Sequence, residues 1–177
     1  PSGLCLAERP VDVPGSAVVA TVEGTRPSLV EVQALVSATS FGTPRRTTLG
    51  VDPNRVALLI AILEKKMGLQ LLGHDVFVNV AGGVRLDEPA ADLGVAAAIA
   101  SSFLDRPIDP QTLLVGEIGL AGEVRAVGNI ELRVREGAKL GFTRAVVPEA
   151  VSRQVPPSEG VAVRPAASLQ EVWEVLF

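Results

Sequence analysis

Hydrophobic and polar positions along this chain alternate between two periods, and the switches between them mark the elements. Residues 17–23 and 29–38 are β-rich runs around Gly24-Thr25-Arg26-Pro27, which predicts a hairpin with Arg26 at its tip. Residues 37–48 then form a connector that exposes Arg45 and Arg46 beside Phe41-Gly42-Thr43-Pro44. Asp52 as N-cap and Pro53 in the first turn open a helix. Val56, Leu59, Ile60, Leu63 and Met67 give that helix one apolar face, and Gly68 ends it. Val76, Val78 and Val80 alternate with Phe77 and Asn79, a strand pattern, and Pro89 opens a second helix rich in glycine and alanine. Leu113, Val115 and Ile118 predict a strand, Gly119 and Gly122 a tight turn, and Ile130, Val134 and Ala138 a helix from 129 to about 140. Short strands follow at 144–147 and 160–163. Ser168 with Glu171 caps a last helix that buries Leu169, Val172 and Leu176. Alternating strands and helices without repeats predict an α+β or α/β domain.

Composition changes this picture little. The 177 residues are 47% hydrophobic, enough for one domain with a sizeable core. Pro1, Pro10 and Pro14 mark residues 1–15 as a linker or arm from an upstream domain, with the folded unit at 16–177. The chain opens on Pro1-Ser2-Gly3 without a leader, so it reads as a piece of a longer protein. Its apolar runs fall short of the roughly 20 residues of a membrane helix. Cys5 and His74 stand alone among cysteines and histidines, which excludes disulfide frameworks, Cys/His zinc sites and His-based triads. Asp87, Glu88 and Asp92 are close in sequence, but their spacing matches no calcium loop.

Chemistry concentrates where the strand ending at Val80 enters the helix after Pro89 through Arg85, Asp87, Glu88 and Asp92. A helix N-terminus offers free N–H groups and a partial positive charge there. The segment from Gly82 to Ala98 resembles the nucleophile segment of the Lon protease proteolytic domain, and Gly116-Glu117-Ile118 resembles that family's hairpin. With Gly94-Val95 in register, Asp92 takes the position of the catalytic serine. Gly128-Asn129-Ile130-Glu131 places Glu131 where the dyad lysine belongs. A Ser–Lys dyad needs a hydroxyl nucleophile and an amine base. Asp92 with Glu131 supplies neither.

Further segments narrow the likeness. Val18 to Pro27, Val30 to Val36, Pro44-Arg45-Arg46 and Gly50-Val51-Asp52-Pro53-Asn54-Arg55, with the two segments above, resemble the Lon-like C-terminal domain of the RadA family of DNA recombination and repair proteins. The likeness covers nearly the whole chain. It implies the Lon proteolytic-domain-like fold (ribosomal protein S5 domain 2-like), mixed sheets packed with helices. It further implies a non-proteolytic domain of a cytoplasmic RecA paralog, acting in branch migration with double-stranded or branched DNA and with itself as a homo-hexamer. The companion zinc module and RecA-like ATPase would carry Zn, ATP and Mg; none is expected in this chain.

Net charge −4 and a pI of about 5.1 are unfavourable for a nucleic-acid binder, so a basic surface must come from clustering. Residues 41–60 and 121–147 hold local basic excess, and thirteen of the sixteen basic residues are arginine, the residue suited to forked phosphate contacts. Arg26, Arg45, Arg85 and Arg125, with Arg46 behind them, are the expected phosphate contacts, each placed in a turn or loop. Arg133, Arg135 and Lys139 read as a solvated helix face or further contacts. Three readings follow: a DNA-binding, ring-forming accessory domain; a pure assembly scaffold whose arginines make subunit salt bridges; and a peptidase using Ser101 or Ser102 with Lys65, Lys66 or Lys139.

Overall fold

The computed structural model describes Gly3, residues 6–157 and residues 160–177. Cys5 therefore lies outside the described residues. Seven strands form one mixed sheet in the order β3-β4-β2-β1-β5-β8-β9: β1 (Ser16–Glu23), β2 (Arg26–Ala38), β3 (Arg46–Leu49), β4 (His74–Val80), β5 (Thr112–Leu114), β8 (Arg144–Pro148) and β9 (Ala162–Ala166). The short strands β6 (Glu117–Ile118) and β7 (Val124–Arg125) make a separate hairpin. The helices are α1 (Pro53–Met67), α2 (Asp92–Leu104), α3 (Ile130–Lys139) and α4 (Leu169–Leu176). This is the α+β class expected from the sequence.

Alternation along the strands divides the core in two. Val30, Val32, Val76, Val78 and Val80 face one side, where they meet Leu59 and Leu63 of α1, Val95 and Ile99 of α2 and Leu169 and Val172 of α4. Val18, Ala20, Leu29, Leu113, Ala145 and Val147 face the other, where Ile130 and Val134 of α3 cover them. Helix α2 is buried nearly all round and comes closest to the sheet at Gly94, where a Cβ would stand 2.0 Å from Val19 Cγ1. The small residues predicted to allow close approach do so.

Several local expectations shift. The hairpin turn is Gly24-Thr25 alone, because Glu23 pairs with Arg26, so Arg26 begins a strand instead of standing at a tip. The connector at 37–48 ends in β3, which pairs in parallel with β4 through Arg46–Val76 to Leu49–Asn79. Two β-branched threonines and a sheet edge outweigh the short length of that run. Leu113 and Ile118 fall in different sheets, and the strand predicted at 160–163 spans Ala162–Ala166. Of the predicted linker, Leu6 packs on the second core and Arg9 donates to the Pro110 carbonyl and lies over Phe142, so this part of the arm rests on the domain.

Candidate functional site

The strand-to-helix junction is built from both ends. At the end of β4 a 3-10 turn (Ala81–Gly83) leads into the 84–88 loop, and the Leu86 N–H donates to the Gly50 carbonyl at 2.7 Å. Gly50 has φ +85°, and a Cβ there would stand 2.7 Å from both Val80 Cβ and the Val84 carbonyl oxygen, so only glycine lets this loop close on β3. A second 3-10 turn (Pro89–Ala91) then sets α2, which opens on Asp92.

Asp92 is 3% exposed and fully engaged. Arg55, from the first turns of α1, meets it as a fork: Nε donates to Oδ1 at 2.8 Å and Nη2 to Oδ2. The Ile118 N–H of β6 donates to the same Oδ2 at 3.0 Å, and Arg55 Nη2 lies 4.0 Å from Glu117. The hydrogen bond to Asp92, first among the causes, raises the Arg55 pKa above its ordinary value. The position matched to the protease nucleophile thus carries a strut that ties α1, α2 and the small hairpin together. Glu131 stands exposed on α3, and its Oε1 accepts from Arg135 at 2.6 Å, an i, i+4 pair. The alternative serines are structural: Ser101, fully buried, accepts from the Gly15 N–H at 2.9 Å and donates to the Arg106 carbonyl, while Ser102 accepts from the Val36 N–H at 2.9 Å.

The five expected phosphate contacts do not converge on one surface. Arg26 and Arg85 line the same cleft, of about 670 Å³, between the β1–β2 hairpin and the 84–88 loop. Glu23, Asp87, Glu88 and Glu136 line it too, and Arg85 Nε sits 2.8 Å from Asp87 Oδ1. Arg45 is exposed in the loop before β3, with its backbone N–H donating to Asp75 Oδ1 at 2.7 Å. Arg46, in β3, donates to the carbonyls of His74 and Leu71. Arg125, in β7, pairs with Glu123 at 3.0 Å; the backbone N–H of Glu123 first, then Arg125 and the Ala121 N–H, hold the Glu123 carboxyl below its usual range. Three of the five therefore belong to strands instead of turns.

Of the five basic groups at 121–147, Arg125, Arg135 and Lys139 are exposed, but Arg133 and Arg144 turn inward. Arg133 is 4% exposed: Nε donates to the Gly128 carbonyl at 2.9 Å, Nη1 to the Ala20 carbonyl at 2.7 Å, and the fork grips Glu88. Arg144 donates to the Thr112 hydroxyl and the Val175 carbonyl. Arg133 is thus no part of a solvated face, and the sequence carried the signal, since Ile130, Arg133, Val134 and Gly137 follow the i, i+3, i+4, i+7 stripe and all are buried. Arg55 had no such mark, because its partner lies 37 residues away.

The family model described as subunit ChlI of Mg-chelatase matches residues 38–151. The chain belongs to this ChlI family. Among relatives of this ChlI-family domain, DNA repair protein RadA of Halalkalibacterium halodurans is 58% identical over 84% of the chain and 33% of that protein. RadA of Bacillus subtilis is 52% identical over 97% of the chain and 37% of that protein, and RadA of Streptococcus pneumoniae 50% over the whole chain and 42% of that protein. The likeness to RadA's Lon-like domain read from the sequence therefore holds. The chain spans between 33% and 42% of the length of these relatives. No helix among the described residues is long and apolar enough to cross a membrane.

Proposed function

We propose that this domain serves a cytoplasmic DNA repair protein as a non-proteolytic unit that contacts DNA and supports a hexameric ring during branch migration. The observation that carries the non-proteolytic half is the Arg55–Asp92 strut: a buried carboxylate held by a guanidinium and a backbone N–H is neither a nucleophile nor free to move. Relatives named as DNA repair proteins supply the biological setting. ATP, Mg and Zn belong to the RecA-like ATPase and zinc module expected elsewhere in the longer protein.

DNA contact rests on the exposed guanidinium of Arg45 and on Arg26 with Arg85 in their shared cleft. Weak, sequence-independent phosphate contacts of this kind gain from repetition around a ring. The carboxylates beside Arg26 and Arg85, and the pairing of Arg125 with Glu123, favour a second reading in which the arginines hold only protein together. Anisotropy of labelled duplex and branched DNA across a salt series separates the two. On the first reading log K falls with log salt by about 0.9 per phosphate contact, and Arg45→Ala or Arg26→Ala with Arg85→Ala lowers affinity and flattens the slope. No binding at low salt leaves the scaffold alone.

A further inference from the structure

The second face of the large sheet is covered over only part of its width. Helix α3 and the arm lie over β5, β8, β1 and the start of β2, where Leu29 and Glu31 are buried. Farther along the same face of β2, cover stops: Leu35 is 61% exposed. The register carries this open area across to β4 and β3, placing Leu35, Phe77 and Thr47 in one row and Gln33, Asn79 and Leu49 in the next. Leu49 is 63% exposed. The neighbouring chain segments add exposed Phe41 and Leu72, two residues and one residue from the point where the Thr39 N–H donates to the Gly73 carbonyl.

The charges around this area are distributed with a direction. At its β3 edge stands Arg45, its side chain 78% exposed. At the opposite margin the arm runs over β1, lining a shallow pocket with Ser16, Val18 and Thr112. There it exposes Val11 and Val13 together with the carboxylates Glu8 and Asp12. A surface that is apolar in the middle, cationic at one end and anionic at the other matches itself after a half-turn rotation: the arm of one copy meets the β3 edge of the other, and the leucine rows meet across the axis.

We infer that the open half of this face is a two-fold contact between two copies of the chain. The inference goes beyond ring formation, because a ring joins two different surfaces whereas this contact uses one surface twice. It explains why six of the eight exposed large hydrophobic side chains, Val11, Val13, Leu35, Phe41, Leu49 and Leu72, gather at this area and its margins among the described residues.

Sedimentation equilibrium of the 177-residue chain without DNA tests it. The expected parent assembly holds an even number of copies, and its dissociation constant rises with salt because charges rim the contact. Leu35→Glu with Leu49→Glu halves the assembly or weakens it at least about tenfold, while circular dichroism and the melting temperature stay at parental values since both side chains are exposed. Leu120→Glu, at an exposed leucine off this face, leaves the mass unchanged. A monomeric parent, which would assign the face to another part of the longer protein, overturns the inference, as does a patch variant of parental mass.

Discussion

Arg55 and Asp92, 37 residues apart in sequence, form a two-pronged ion pair that ties α1 to the start of α2. The carboxylate is buried while the guanidinium keeps a partly exposed edge. Removing the arginine strands a buried charge, so Arg55→Ala is expected to lower unfolding free energy by about 3 kcal/mol, the low end for a broken buried pair. Urea denaturation measures it; a loss under about 0.5 kcal/mol, the scale of ordinary surface substitutions, would show that the strut is idle.

Ser101→Ala leaves the Gly15 N–H without its acceptor and the Arg106 carbonyl without its donor. A cost of about 1–3 kcal/mol follows from the orphaned N–H. Any trace peptide turnover in a preparation is expected to be identical for parent and variant. A specific loss of turnover with unchanged stability would return Ser101 to the list of nucleophiles.

Gly94→Ala sets two effects against each other. Alanine gains about 1 kcal/mol in helix propensity over glycine. Its methyl, however, would stand 2.0 Å from Val19 Cγ1, and forced shifts in a packed core cost about 1–3 kcal/mol. The clash is severe and its neighbour is a stiff β-branched side chain in a central strand, so net destabilisation is expected. Gly94→Ala with Val19→Ala should recover part of the loss in the same denaturation assay.

Acid acts through Asp75. The Arg45 backbone N–H, the Thr39 hydroxyl and the nearby Arg45 and Arg46 charges hold its carboxyl below the ordinary value, against the opposing effect of burial. A lowered folded pKa means the unfolded chain takes up this proton more readily. The stabilisation is therefore present above the ordinary carboxylate range and lost as pH falls through the folded value. Melting temperatures from pH 7 to pH 3 should fall faster for the parent than for Asp75→Asn, with the curves converging at the acid end. Parallel curves would show that Asp75 does not couple the 39–45 connector to the sheet.

Local signals were legible where one residue decides one local geometry. Asp52 caps α1 by accepting from the Asn54 N–H, Pro53 begins the helix and Gly68 ends it, as the sequence reads. Ser168 caps α4 through the Glu171 N–H. What escaped sequence reasoning depends on distant partners. Strand β3 exists because Val76 and Phe77 offer it an edge, and nothing within residues 46–49 announces that pairing. Arg55 finds Asp92 across the helix layer, and Arg133 finds Glu88 and the Ala20 carbonyl through the second core. Charge along a sequence shows cations such as Arg85 and Arg125 but not the carboxylates, Asp87 and Glu123, that fold beside them.

Position 92 also limits which side chains the seam around it can accept. Serine there would add a hydroxyl but deprive Arg55 of its counter-charge and loosen the seam between α1, α2 and the small hairpin. A lysine at 131 would arrive on an exposed helix face where Glu131 now answers Arg135, and would set two cations one turn apart. Placing serine at 92 and lysine at 131 is therefore expected to cost stability unless Arg55 changes as well. A hydroxyl at 92 and an amine at 131 are thus opposed by the packing itself, apart from any question of chemistry.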